Sequence, residues 1–244
     1  MTTIATTVKP AFFLTNDQKW LVWPLHTEHR VVSWAVIGGG LRETCMLAWH
    51  QVKNSDLPLG VDPGTLIQER RHRCIDPHAT IFLTSARLDK FTHSDTPLHD
   101  DATTNIRVVA TVGLSNACHV NSCQTVTLAP LGTINIGVVT NRQLTDAALF
   151  EALSITTEAR TAAVIAGTQK HRTQLNNATG TGTDCIAIAS RVLPKNNPSH
   201  AYCGKHTAFG QALGRCVYST VLQGVEDWLQ TQPATSLYND TGSV

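Results

Sequence analysis

Between residues 179 and 184 the chain reads TGTGTD: three threonines and two glycines ending in one carboxylate, Asp184, before the sequence turns apolar. Gly180 and Gly182 let consecutive backbone N–H groups point at one place, and the threonine hydroxyls add hydrogen-bonding groups. A loop so dense in small polar residues is expected to hold a ligand rather than fill solvent. Asp184 is then either a reagent or an acceptor for the loop's own amides. Other stretches carry chemistry of the same kind. Gly38-Gly39-Gly40 lacks Cβ atoms where an apolar run ends, so helix-start N–H groups there could approach an oxyanion. GLSNA (113–117) supplies a hydroxyl and an amide, Ser115 and Asn116, suited to gripping polar amides. Glu158 lies among small helical residues and would serve as a general base if partly buried. His206 follows Lys205 just before the last helix, in a position to exchange protons near neutral pH. Thr207 is placed to cap that helix.

These residues need elements to position them. Phe12 to Thr15 and Lys19 to Trp23 read as a hairpin around Asn16-Asp17. RVVSWAVI (30–37) reads as a third strand, and Leu41, Cys45, Ala48, Trp49 and Val52 recur at helical spacing after the glycines. A short helix follows from Pro63 through Arg71. ATIFLTSA (79–86), IRVVATVGLSNA (106–117), QTVTLAPL (124–131), GTINIGVVT (132–140) and DCIAIASRVL (184–193) read as strands. The polar run 88–105 reads as a mobile loop. Thr145 caps a long helix from Asp146 to Ala166, closed by Gly167. A last helix carries Phe209, Leu213, Val217, Val221, Val225 and Trp228 as one apolar stripe. Strands in runs with helices at intervals predict an α+β fold: a single domain over 1–244, core about 12–230, with a mainly antiparallel or mixed sheet and helices packed on it.

Composition narrows the function. The chain has 244 residues, a net charge of +1 and no basic run, so neither nucleic acid nor a membrane surface is expected as a partner. No apolar run is long enough to span a bilayer, and MTTIATTVKP lacks the pattern of a secretory signal. Seven scattered cysteines suit buried thiols in a reducing cytoplasm. Cys118, His119 and Cys123 have a metal-like look but no second close pair, so no metal site is expected. Neither GxGxxG nor GxxxxGK[ST] occurs in its required setting, and GLSNA is not a GxSxG elbow.

Six stretches in order, VVSWAVIGGG (31–40), ATVGLSNA (110–117), GTINIGVVTN (132–141), LTDAALFEALSITTEARTAA (144–163), ATGTGTDCIAIAS (178–190) and YCGKHTAFGQALG (202–214), resemble the adenosylcobinamide amidohydrolase (CbiZ) family. The resemblance implies hydrolysis of the aminopropanol amide of a corrinoid to give adenosylcobyric acid, in corrinoid salvage for coenzyme B12 synthesis. It implies no required cofactor, the corrinoid cobalt arriving with the substrate. A homo-oligomer is compatible with it, and the alternative is a corrinoid-binding carrier or sensor without catalysis. For amide hydrolysis the expected base is Asp184 or Glu158, acting on water, with Thr181 or Thr183 as the alternative nucleophile. Gly38 to Gly40 or the 180–183 loop would hold the oxyanion, and His206 or Lys205 would protonate the amine. Ser115, Asn116 and Asn135 would hold the amide-rich corrinoid rim. Two positions depart from the family pattern. Arg160 stands where lysine is common, keeping charge but not geometry. Gln211 stands where glutamate often follows, which is what keeps the non-catalytic alternative open.

Overall fold

The computed structural model describes residues 12–58, 60–99, 101–121, 132–171, 175, 177–194 and 196–232. Its elements in chain order are β1 (Phe13–Leu14), β2 (Trp20–Ser33), β3 (Gly40–Gln51), α1 (Pro63–Arg70), β4 (Thr80–Thr84), β5 (Thr92–Pro97), β6 (Asn105–Val112), β7 (Ala117–Cys118), β8 (Ile134–Thr140), α2 (Asp146–Lys170), β9 (Gly180–Thr181), β10 (Cys185–Arg191) and α3 (Ala208–Gln230). Seven strands form one mixed sheet in the order β4-β3-β2-β10-β8-β6-β5, with β1 paired to β2. The pairs β10–β8 and β3–β4 are parallel, joined through α2 and α1 respectively, and the other pairs are antiparallel. The fold is α+β with a mixed sheet and helices packed on it, as the sequence predicts.

The sheet folds back on itself. One face, with Ile106, Val108, Ile136, Val138, Ile186 and Ile188, buries the apolar stripes of α2 and α3. The opposite face, with Val109, Val139, Ala187 and Ala189, packs on Leu47, Trp49 and Phe82 from β3 and β4. That contact requires β2 to bend, and its register with β3 shifts between Pro24 and His29. Gly137 makes the approach possible, because a Cβ there would stand 2.9 Å from the Trp49 ring. The outer face of β2, β3 and β4 carries Trp20, Val22, Ala48 and Ile81, covered by Ile67 of α1. No helix among the described residues is long and apolar enough to cross a membrane.

Several expectations change. The stretch expected as a helix from Leu41 to Val52 is instead strand β3 up to Gln51. Leu47 and Trp49 feed one core while Ala48 feeds another, so the strand is buried on both faces and loses its alternation. Strand 30–37 is the second half of β2, which ends at Ser33. The run 88–105 contains the edge strand β5, whose inward side is hydroxyl-rich because it meets α3 through hydroxyls: Thr92 donates to the Thr220 carbonyl at 2.9 Å, and Ser94 touches Thr220. Gly167 does not close α2, which runs on to Lys170. The glycine instead lets Val225 of α3 approach, and a Cβ would stand 2.6 Å from that side chain. The strand read at 124–131 lies outside the described residues.

Two buried histidines make the fold acid-labile. His50 stacks on Trp20 at 4.2 Å, and its Nδ1–H donates to the Lys19 carbonyl at 3.2 Å. Its buried Nε2 has no partner among the described residues. Burial pushes both His50 and His29 below the ordinary histidine value of 6.5. Below that value the unfolded chain takes up protons that the folded chain refuses, so stability is complete above about pH 6.5 and falls as pH drops from there. The urea midpoint should therefore decrease between pH 7 and pH 5, and less steeply in His50→Phe. Equal slopes would show that His50 plays no part.

Candidate active site

Asp184 sits at the head of β10, 8% exposed, and each of its carboxylate oxygens accepts two hydrogen bonds. Oδ1 accepts from the Thr181 hydroxyl at 2.5 Å and from the backbone N–H of Ile134 at 2.9 Å. Oδ2 accepts from the Thr181 N–H at 2.9 Å and from the Arg160 guanidinium. Arg160 reaches the carboxylate from the middle of α2, itself only 13% exposed. Burial works against its charge, and the Asp184 carboxylate is the opposite charge it contacts. Gly180 is what lets the two meet: a Cβ there would overlap both the guanidinium and the carboxylate.

Other expected stretches arrive at the same place. β9 pairs with β7, which brings GLSNA beside the TGTGTD loop. Gly132 packs against the turn so closely that a Cβ would stand 2.7 Å from the Ser115 nitrogen and 2.8 Å from that of Asn116. Thr183 donates to the Gly132 carbonyl at 2.9 Å, and Thr133 donates to the Thr183 carbonyl at 2.9 Å. Beside this network opens a cleft of about 360 Å³, whose lining includes Trp34, Phe82, Ser85, Thr133, Thr183 and Asp184. Cys185 also lines it, but burial pushes its thiol up to about 12, so it stays protonated and is no nucleophile.

Some expected residues lie elsewhere. Glu158 is exposed and pairs with Lys205 at 2.7 Å, not with any group of the Asp184 cluster. His206 is exposed ahead of α3, and Gln211 is exposed on its first turn. The Thr207 hydroxyl is occupied as the α3 cap, accepting from Gly210 N–H at 2.9 Å and donating to the Gly204 carbonyl. Asn135 is fully buried and donates to the Leu83 carbonyl at 2.5 Å, tying β8 to the folded-over β4, so it cannot reach a corrinoid rim. Gly38 to Gly40 form the turn between β2 and β3, so no helix start exists there to offer its N–H groups. Cys123 lies outside the described residues, and among those described no three His, Cys, Asp or Glu side chains gather as metal ligands.

Sequence reasoning missed Trp34. Its indole N–H donates to the Asp184 carbonyl at 2.7 Å while half of the residue stays exposed. The signal was present, a tryptophan beside the glycine turn, but RVVSWAVI read simply as a third strand.

The family model for adenosylcobinamide amidohydrolase (CbiZ) matches residues 5–233. An adenosylcobinamide amidohydrolase of Methanosarcina mazei is 32% identical over 104 residues, covering 40% of this chain and 48% of that protein. An uncharacterized protein of Methanocaldococcus jannaschii is 34% identical over 99 residues, covering 39% of this chain and 36% of that protein. The matched stretches thus span half or less of the curated relatives' own length. Among solved structures, a Burkholderia sp. beta-aminopeptidase superposes with a TM-score of 0.41 at 11% identity, covering 86% of this chain and 78% of that one. A protein from Pyrococcus horikoshii OT3 gives 0.40 at 8% identity, covering 84% and 76%. With the family model matched across residues 5–233, the chain belongs to the adenosylcobinamide amidohydrolase (CbiZ) family.

Proposed function

We propose that this chain hydrolyses the aminopropanol amide of adenosylcobinamide or a related corrinoid, releasing adenosylcobyric acid for corrinoid salvage in the cytoplasm. The observation that carries the reading is the Thr181–Asp184–Arg160 relay: a hydroxyl 2.5 Å from a carboxylate that a guanidinium holds in place. An activated nucleophile needs a base within hydrogen-bond reach and a third group orienting that base. Here Thr181 is the nucleophile, Asp184 the base and Arg160 the orienting group.

In the first step Thr181 Oγ1 bonds to the amide carbon while its proton passes to Asp184 Oδ1. The backbone N–H of Gly182, next to Thr181 on the same turn, stabilises the oxyanion that forms, the Thr181 N–H being held by Asp184. The C–N bond then breaks, the leaving amine takes the proton from Asp184, and an ester remains on Thr181. Water, giving its proton to the same carboxylate, attacks the ester and restores the hydroxyl, leaving the corrinoid carboxylic acid. The mechanism draws on no resident cofactor, and the cobalt enters as part of the substrate. Glu158, Lys205 and His206 have no step in it.

The test is a product assay with adenosylcobinamide, following cobyric acid. Thr181→Ala should lower turnover at least about 10³-fold, Thr181→Ser should keep activity within about tenfold, and rapid quench should trap an ester on residue 181. Near-normal turnover by Thr181→Ala would remove the nucleophile. A visible-band shift without product from the unmodified chain would instead favour a corrinoid carrier or sensor.

A further inference from the structure

We infer that the cleft beside Trp34 is a subsite for a neutral nucleoside, filled by the adenosyl group of the corrinoid. The identity of the occupant rests on the amidase reading above, while the chemistry of the slot rests on its walls. Trp34 is half exposed yet not free to turn, because its indole N–H is held by the Asp184 carbonyl at 2.7 Å. With that N–H satisfied, the ring has only its π-face to offer. Val36, Leu57, Pro63 and Phe82 complete an apolar enclosure, and hydrogen-bonding side chains such as Ser85 and Thr183 supplement it. A flat conjugated group with a few polar edges matches such a slot.

Charge and size narrow the class. Among the described residues the one carboxylate or cationic side chain in the lining is Asp184, whose carboxylate is already taken by Arg160, Thr181 and Ile134. Among the described residues no cation lines the cleft to receive a phosphate, which favours a nucleoside over a nucleotide. The volume of about 360 Å³ is at the low end for a drug-sized ligand. A corrin macrocycle with its peripheral amides is far larger, whereas an aminopropanol arm is too small and too polar for these walls. The purine and sugar of an adenosyl group fill it, and the macrocycle stays outside at the mouth.

The experiment uses the full chain and three probes: adenosine, adenosylcobinamide, and cobinamide carrying cyanide in place of the adenosyl group. Adenosine should bind the unmodified chain, read by tryptophan quenching, and should compete with adenosylcobinamide. Trp34→Ala should weaken adenosine about five- to hundredfold, the span of one base stacked on an aromatic ring. It should raise the KM for adenosylcobinamide by a similar factor with kcat nearly unchanged, the mark of lost uniform binding, and leave affinity for the cyanide form unchanged. Trp34→Phe, which keeps a flat face, should recover most of the binding and guards against a misfolded alanine variant; thermal midpoints check both. If adenosine fails to bind, or if Trp34→Ala weakens both corrinoids alike, the subsite is wrong. If the unmodified chain binds adenosine but yields no cobyric acid, the amidase reading fails while the nucleoside slot stands.

Discussion

Gly180→Ala is expected to lower the thermal midpoint and, on the proposed amidase reading, to cut turnover sharply. The added methyl has nowhere to go, since its Cβ would overlap the Arg160 guanidinium and the Asp184 carboxylate together. Neither neighbour is a free chain end: Arg160 is 13% exposed and Asp184 8%, and the carboxylate is held by four donors. Overpacking of this kind costs about 1–3 kcal/mol. For a chain of this size that is about 2–10 °C in the midpoint. The effect on turnover is larger than the effect on stability, at least about 10²-fold, because a displacement near 1 Å at a reacting group costs that much by itself. The matched control is Gly182→Ala, where a Cβ meets nothing within 4 Å and the fold should be unchanged. Equal midpoints and equal turnover for the two variants would show that the loop yields where the geometry says it cannot.

Asp184→Asn produces the second large effect. The substitution preserves shape but replaces one carboxylate oxygen with an NH2 group. Whichever way the amide turns, that NH2 faces two donors, either Thr181 O–H and Ile134 N–H or Thr181 N–H and Arg160. It also leaves a largely buried guanidinium without its counter-charge. Removing one partner of a buried ion pair costs about 3–5 kcal/mol. On the proposed mechanism, turnover should fall by at least about 10²-fold with loss of the base. Arg160→Lys keeps the charge but loses the planar fork, so it should be affected less in stability than Asp184→Asn while still losing activity. Calorimetry and the cobyric acid assay on the three proteins check this order. An Asp184→Asn protein with more than about a tenth of normal turnover would leave Asp184 a purely structural residue.

How much of this could be read from the sequence depended on how local the cause was. Thr145 and Thr207 were legible as caps because a cap is decided within four residues, and both accept the N3 N–H as expected. The α3 stripe was legible because one face meets one core. β3 was not, since burial on two faces erased the alternation that marks a strand and left a helix-like spacing. β5 was hidden by the hydroxyls it turns toward α3. The loop at 179–184 stood out by composition alone, yet the partner that orders it was not assignable: Arg160 lies 24 residues earlier on a helix, and only tertiary packing brings it to Asp184. Glu158 and Arg160 lie two residues apart on the same helix. Helical rotation sends the first to solvent and Lys205 and the second into the site.

The hydrogen bond from Trp34 to the Asp184 carbonyl has a consequence for how such a protein can change. On the proposed reading, the two ends of Asp184 serve two purposes: its main chain steadies the ring that grips, and its side chain steadies the hydroxyl that reacts. Grip and reaction therefore share one anchor. Slot and relay meet at one residue without sharing an atom, so a substitution at Trp34 can resize the slot while the carboxylate keeps its four donors. Leu57 and Pro63, which line the same cleft, are further places at which what is accepted can diversify.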